Sequence, residues 1–283
     1  MNLKECLHSH LIQIVRDRNP YLASGGHFYV QQYIREQLAQ WGTVEIDDFA
    51  VRGRIHHNLI LDLPPSKKVS KQGLPPILIG AHYDTVPGTP GADDNATGVA
   101  VLLELARAIV LQPLKYPVQL VAFDMEEAGY LGSSHHAAKY KQQQQSIRLM
   151  ISLEMLGYCD RTPNSQSYPA GLKYFYPNTG NFIALIGNLR TVRDMIALSR
   201  NIRKVGQPCE WLPVPNRGLV VPDTRRSDHV PFWDNGYPAI MVTDTANMRN
   251  PHYHQPSDKI ETLDLDFLAG VCGGLVEAIK YIR

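Results

Sequence analysis

The sequence predicts an α/β fold, a three-layer sandwich in which helices cover a central sheet. Short runs such as Ile77–Ala81 and Val118–Phe123 are almost continuously apolar, which is typical of strands covered on both faces. Between these two runs, apolar residues from Val99 to Val110 recur at helical spacing. Because strand and helix patterns alternate along the 283 residues without a repeat or a linker, we expect one domain spanning residues 1–283.

Four helices are predicted from apolar faces with a period of 3.6 residues. These faces are Leu7, Leu11, Ile14 and Val15; Val30, Tyr33, Ile34, Leu38 and Trp41; Val99, Leu102, Leu103, Ala106, Ile109 and Val110; and Phe267, Val271, Leu275, Ile279 and Ile282. Gly42 follows the second face, where a left-handed C-terminal cap is expected. The last helix is predicted to span Asp266–Ile282.

Seven strands are predicted from short apolar or alternating runs. They are Val44–Val51, Asn58–Leu63, Ile77–Ala81, Val118–Phe123, Leu149–Leu153, Phe182–Ile186 and Ala239–Thr243. Pro64–Gly73 is predicted to be a polar loop, and the Gln-rich run Lys141–Gln145 a solvated helix end. Tyr158–Asn181 and Glu210–Ser227 are rich in Pro, Gly, Asn and Ser, so we expect long loops at the rim of a site.

Composition excludes several classes of partner. With 28 basic and 27 acidic residues the formal net charge is +1, which argues against binding to nucleic acid or to an anionic membrane. The four cysteines are scattered without a pairing rhythm, as expected of reduced thiols. Residues 1–19 lack the apolar core of a signal peptide, and no run reaches transmembrane length. The expectation is a cytoplasmic protein.

Two short segments contain residues that commonly bind metal ions. One follows the third predicted strand and the other precedes the third predicted helix. His82 follows the strand directly, and Asp84 faces the same way two residues later, so its carboxylate can accept a hydrogen bond from the free ring nitrogen of His82. In Gly91–Gly98, the acidic residues Asp93 and Asp94 could simply cap the following helix. The glycines, however, let the backbone pass close to an inorganic ligand. We assign Asp94 as a bridge, because its two oxygens can reach two cations.

Three further phrases supply carboxylates and imidazoles. The adjacent residues Glu126 and Glu127 follow a strand, so one can bind metal while the other acts as a base; we assign Glu127 as the ligand and Glu126 as the base. Glu154 closes an apolar strand, where a charge is costly unless it is paired or metal-bound. By spacing alone, either His252 or His254 could be the last ligand.

Each phrase also has an ordinary structural interpretation, namely a histidine packed against a turn, a helix cap or a solvated acidic turn. All five occur together at strand or helix ends, and this combination favours a site for two divalent metals around one water.

The phrases between Ile77 and Thr262 resemble the co-catalytic zinc aminopeptidases of the bacterial leucyl aminopeptidase type, whose relatives include glutamate carboxypeptidases and glutaminyl cyclases. The resemblance implies a mixed, mainly parallel sheet flanked by helices and two zinc ions per chain. It implies the following roles: His82 and Glu154 hold one zinc, Glu127 and His254 hold the other, Asp94 bridges them, Glu126 is the general acid and base, and Asp84 lies behind His82. It also selects His254 over His252.

Two departures and one further phrase qualify the resemblance. The family more often has aspartate where this chain has Glu154, so the site could prefer another divalent ion. Tyr253 matches some members, in which the tyrosine hydrogen-bonds the developing oxyanion. In Ser227–His229, the resemblance gives Asp228 a supporting role behind the ligands and His229 a structural one.

The predicted function is a metal-dependent aminopeptidase that hydrolyses the first peptide bond of a peptide or amino-acyl substrate. The alternatives are a glutaminyl-cyclase-like transferase with one zinc and a non-catalytic binding module. The Gly129–Ser133 phrase favours the peptidase, and competent side chains at all six ligand and base positions argue against the module. Arg225 and Arg226 could meet a substrate carboxylate or could be solvated loop charges.

Overall fold

The computed structural model describes residues 1–67 and 73–282. The strands are β1 Val44–Val51, β2 Arg54–Leu63, β3 Ile77–His82, β4 Val118–Phe123, β5 Leu149–Glu154, β6 Ile183–Asn188, β7 Cys209–Val214 and β8 Ala239–Thr243. The α-helices are α1 Leu3–Ile14, α2 Ser24–Ala39, α3 Gly98–Leu111, α4 Leu131–Gln142, α5 Val192–Lys204, α6 His229–Asp234 and α7 Leu265–Ala278.

The eight strands form one sheet in the order β1-β2-β4-β3-β5-β8-β6-β7. Four of the seven pairings are parallel and lie mostly at the centre, whereas β1 with β2, β2 with β4, and β6 with β8 are antiparallel. The predicted fold class, a mixed and mainly parallel α/β sandwich, is confirmed.

Alternation along the central strands creates two cores, one on each face of the sheet. Ile77 and Ile79 of β3 point into the larger core, which packs under α1, α2, α3, α5 and α7. Leu78 points the opposite way into a smaller core under α4 and α6. This two-residue period explains why the central strands are apolar at almost every position.

Three sequence-based expectations differ from the structure. Residues 210–214 belong to β7 rather than to a loop; Pro213 is tolerated there because β7 is an edge strand that pairs only with β6. Gly42 does not have the predicted left-handed backbone conformation. A side chain at this position would crowd Leu61, whose Cδ1 would lie 2.9 Å from an added Cβ. The last helix ends at Ala278 and continues only as a 3-10 turn.

Of the predicted Pro64–Gly73 loop, residues 68–72 lie outside the described residues. Among the helices of the described chain, none has the length and apolarity needed to cross a bilayer.

Candidate metal centre

The carboxyl ends of β3 and β4 are joined by Asp84. The carboxylate of Asp84 lies 3.5 Å from Nδ1 of His82, next to the ring as predicted but without forming the predicted hydrogen bond. Its two oxygens also accept hydrogen bonds from the backbone N–H groups of Glu126 and Glu127, at 3.0 and 3.2 Å. Asp84 therefore lies beside the histidine of one strand and fixes the backbone of both glutamates after the next.

The turn that carries Asp94 is held from two sides. The carboxylate of Asp258 accepts hydrogen bonds from the N–H groups of Asp93 and Asp94, at 2.9 and 3.1 Å. The side chain of Asn95 donates to the carbonyl of Leu153 at 2.8 Å, at the end of β5. Sequence reasoning gave no role to Asp258 or Asn95.

Packing against protein atoms explains the glycines of this turn. Gly91 has φ +61°, and an added Cβ would lie 2.3 Å from the carbonyl oxygen of Asp94 and 2.9 Å from Nη1 of Arg18. A Cβ on Gly98 would lie 2.7 Å from the carbonyl oxygen of Leu153. Both positions need glycine because protein atoms, not a ligand, fill the space.

Two groups of ligand atoms share the carboxylate of Asp94. Its Oδ1 lies 3.3 Å from Nε2 of His82, and that nitrogen lies 3.6 Å from Oε2 of Glu154. Its Oδ2 lies 3.0 Å from Nε2 of His254, which lies 3.4 Å from Oε2 of Glu127. Each group could hold one metal ion, so the structure brings all five predicted ligands together around one common carboxylate.

Glu126 lies beside the first of these groups. Its Oε2 is 4.0 Å from Nε2 of His82, and the residue is buried. Burial raises the pKa of Glu126 well above its ordinary value; the charge of His82 opposes this, and the carboxylates of Glu154 and Glu127 reinforce it. The protonated form of Glu126 is therefore favoured more than it is in an exposed glutamate.

The loop before α6 contains Asp228 and a serine that donates a hydrogen bond to Glu154. Oε2 of Glu154 accepts a hydrogen bond from the hydroxyl of Ser227 at 2.7 Å, and Ser227 is itself 2.8 Å from the hydroxyl of Ser152. Sequence reasoning missed this serine pair. Asp228 is fully buried, and burial, with further repulsion from Glu154 and Asp84, raises its pKa to about 7 despite the opposing charge of His82.

The residues fit a pair of divalent cations. Both ring nitrogens of His82 and Oε1 of Glu127 are buried without a hydrogen-bond partner among the described residues, which is costly unless another ligand is supplied. Burial also raises the pKa of Glu127, and the carboxylate of Asp94 adds to this. Imidazole nitrogen and carboxylate oxygen are the ligands that zinc and similar ions accept.

The other histidines of these phrases lie outside the two groups. Nδ1 of His252 is within 2.9 Å of the hydroxyl of Ser257 at the surface. His229 donates from Nε2 to the carbonyl of Thr224 at 2.8 Å, and burial lowers its pKa to about 3, so its ring is neutral. These placements agree with the choice of His254 and with a structural role for His229.

The neighbouring residues Arg225 and Arg226 differ in their partners. Arg225 donates two hydrogen bonds to the carboxylate of Asp234, at 3.1 and 2.7 Å. Among the described residues, Arg226 donates hydrogen bonds to neutral oxygens, namely Oδ1 of Asn247 at 3.2 Å and the hydroxyl of Tyr253 at 3.4 Å. The ring of Tyr253 stacks on that of His254, with centroids 3.8 Å apart.

A largely apolar pocket opens beside Glu154 and Tyr253. Apolar side chains from β6, β7, β8 and the loop 158–181 line it, among them Tyr168, Leu172, Phe182, Ile186, Trp211 and Met241. The predicted long loop therefore does form part of the rim, and the unpredicted strand β7 contributes a wall.

Comparison with curated proteins identifies related chains. The sequence model of Peptidase family M28 matches residues 58–276. The chain is 37% identical over 262 residues to Uncharacterized protein YfbL of Escherichia coli, covering 87% of this chain and 77% of that protein. It is 28% identical over 211 residues to Aminopeptidase YwaD of Bacillus subtilis, covering 72% of this chain but only 40% of that protein.

Solved structures share the fold. LapA aminopeptidase of Legionella pneumophila superposes with a TM-score of 0.73 at 20% identity, covering 98% of this chain and 71% of LapA. BSAP, a zinc aminopeptidase of Bacillus subtilis, gives 0.59 at 25% identity, covering 82% and 51%. Glutaminyl cyclase of Porphyromonas gingivalis gives 0.69 at 20% identity, covering 100% and 99%.

Fold similarity alone therefore does not separate peptidase from cyclase. The sequence match extends over most of the chain and includes every predicted metal ligand. The chain belongs to peptidase family M28.

Proposed function

We propose that this protein is an aminopeptidase that uses two zinc ions to hydrolyse the first peptide bond of its substrate. The observation that supports this most strongly is the shared carboxylate of Asp94, whose two oxygens face two separate groups of ligand atoms. The similarity to YwaD and BSAP, which are both named as aminopeptidases, supports the same activity. We propose His82 and Glu154 as ligands of one ion and Glu127 and His254 as ligands of the other.

The chain supplies the base and a hydrogen-bond donor. When bound, a pair of divalent ions supplies Lewis-acid polarisation and an activated water. Glu126 accepts the proton of the attacking water at its carboxylate and returns it to the leaving amine. Burial raises the pKa of Tyr253, so its hydroxyl stays protonated and can donate to the oxyanion that develops on the substrate carbonyl. Asp84 holds the backbone N–H groups of Glu126 and Glu127 in place.

The pocket defines the substrate class within this proposal. Its apolar lining favours a large apolar or aromatic side chain on the amino-terminal residue, because burying such a side chain releases water from both surfaces. Glu154, at the border of the pocket, lies where a free substrate amine can meet a carboxylate. A blocked amine would lose this contact.

Chelation and substrate comparison test the proposal. We expect two metal ions per chain by elemental analysis, loss of leucyl or phenylalanyl peptide hydrolysis on chelation, and recovery on addition of zinc. An N-acetylated copy of the same peptide should be hydrolysed at least about 100-fold more slowly. One metal ion per chain with cyclisation of a glutaminyl peptide would instead establish the cyclase alternative, and metal-independent peptide binding without turnover would establish the binding module.

A further inference from the structure

Arg18 is completely buried behind the turn that carries Asp94. It lies in the segment between α1 and α2, outside the part of the chain that the family match covers, and its exposed fraction is 0%. A guanidinium has five N–H donors in a rigid fork, and such a group is rarely buried without a carboxylate. Among the described residues, no carboxylate lies within ion-pair distance of Arg18.

All five donors of Arg18 are used, and every acceptor is a backbone carbonyl. Nε donates to Tyr83 at 2.8 Å, and Nη1 donates to Arg16 at 3.2 Å and to Pro90 at 2.7 Å. Nη2 donates to Gly91 at 2.9 Å and to Asp94 at 3.4 Å. The acceptors thus include the residue after the ligand His82 and three residues of the Asp94 turn.

The backbone of Arg18 is tied to the same region. Its N–H donates to the hydroxyl of Thr85 at 3.0 Å. A Cβ added to Gly91 would lie 2.9 Å from Nη1 of Arg18. Because glycine lacks this atom, the turn packs directly against the guanidinium. Burial lowers the pKa of Arg18 to about 10, while Asp94, Asp258 and Asp84 oppose this, and the group therefore stays charged at neutral pH.

We propose that Arg18 is a positioning residue of the metal centre, which fixes the turn of Asp94 against the end of β3 so that the carboxylate faces both groups of ligands. The inference rests on the proposed function, because it requires that these residues bind metal. Residues that orient metal ligands from outside the coordination sphere commonly change affinity by about 10–100-fold when they are replaced.

Arg18→Lys distinguishes the hydrogen-bonding geometry of the guanidinium from its positive charge. Lysine keeps the positive charge but has three donors on one nitrogen, so it cannot bridge the same five carbonyls. We expect zinc or Co²⁺ affinity, measured by calorimetric titration of the metal-free protein, to fall by about 10–100-fold. The kcat at saturating metal should fall as well, because Asp94 is no longer held in one orientation.

Arg249→Lys is the matched control. Arg249 is also buried and also donates to backbone carbonyls, at Phe182 and Tyr158, but not to the Asp94 turn. Both variants should lower the thermal midpoint of the metal-free protein, whereas only Arg18→Lys should lower metal affinity. Equal metal affinity in the two variants and the wild type would overturn the role of Arg18 without touching the proposed function. Absence of metal binding in the wild type would overturn both.

Thr85→Val provides a milder variant should Arg18→Lys not fold. It removes the acceptor of the Arg18 N–H and the long hydrogen bond, at 3.5 Å, from the same hydroxyl to Oδ1 of Asp17. We expect metal affinity to fall by about 3-fold, as for loss of one neutral hydrogen bond. An unchanged affinity in this variant would contradict the proposal.

Discussion

Two buried clusters of imidazole and carboxylate groups lie near the end of β4, and they differ in how their charge is balanced. The first, which we call the Asp124 cluster, consists of Asp124, His27 and His56; the aspartate lies 2.8 Å from Nε2 of His27 and 3.2 Å from Nδ1 of His56. The second is the candidate metal centre, where carboxylates outnumber imidazoles. Glu126 belongs to the second cluster although it is only two residues from Asp124.

The pKa of Asp124 and the pKa values of Glu126 and Glu127 move in opposite directions, whereas the pKa of Asp94 is lowered against the effect of burial by hydrogen bonds with His254 and His82. Burial opposes ionisation of Asp124, but hydrogen bonds from His27 and His56 outweigh it and lower the pKa to about 2. Burial raises the pKa values of Glu126 and Glu127 well above the usual range, and repulsion from nearby carboxylates raises them further. The comparison teaches that residue types do not define a metal site. A cluster that satisfies its own charges needs no cation, whereas one that leaves buried nitrogen and oxygen atoms without partners does.

The largest expected effect is on turnover, from Glu126→Gln. The amide keeps the shape of the side chain but cannot accept the proton, so we expect kcat to fall by about 10²–10⁴-fold while both metal ions remain bound. Steady-state kinetics and elemental analysis of the same preparation measure the two effects. Turnover within a few fold of the wild type would remove Glu126 from the mechanism.

The next effect is on metal binding and compares a histidine from each cluster. We expect His82→Ala to reduce metal affinity by at least about 100-fold, because it removes a ligand, and His56→Ala to leave the number of bound ions unchanged. Calorimetric titration with zinc decides between them. If His56→Ala lost a metal ion instead, the distinction between the two clusters would be wrong.

Metal removal should change stability through the candidate centre alone. A metal that binds only the folded state stabilises it by about 2.7 kcal/mol for each site at a free concentration 100 times Kd. Urea unfolding with and without a chelator measures this increment. We expect the increment to be smaller in Glu154→Gln and unchanged in Asp124→Asn, and equal increments in both variants would contradict the assignment of Glu154.

The smallest effect is the pH dependence that arises from the Asp124 cluster. Because the folded pKa of about 2 lies below the ordinary value of 3.8, Asp124 stabilises the fold above pH 4, and this contribution disappears as the pH falls towards 2. Its full size is about 2 kcal/mol. Asp124→Asn should therefore be less stable at pH 7 but lose less further stability between pH 4 and 2. Parallel unfolding curves for the two proteins over this range would exclude the contribution.

Local pattern was enough to predict most of the fold. The strands β1, β4 and β8 begin and end at the predicted residues, since their apolar runs are bounded by polar or turn residues. Strand β7 was not predicted, because Pro213 and the flanking Pro208 and Pro215 are typical of a loop, whereas its pairing with β6 makes it a strand. That strand supplies Trp211 to the pocket, so the wall of this pocket could not be derived from the sequence.

The sequence by itself determined the α/β fold class, seven of the eight strands, helices α1, α2, α3 and α7, the family and the ligand-type residues at strand ends, because these depend on neighbours within one helical turn or strand. Only the tertiary structure decided that Asp94 faces two groups of ligands and that Arg18, Asp258 and Ser227 support them. These partners lie about 70 to 160 residues apart in the chain. Hydrogen bonds over such separations arise from how the chain folds back on itself, and no local periodicity records them.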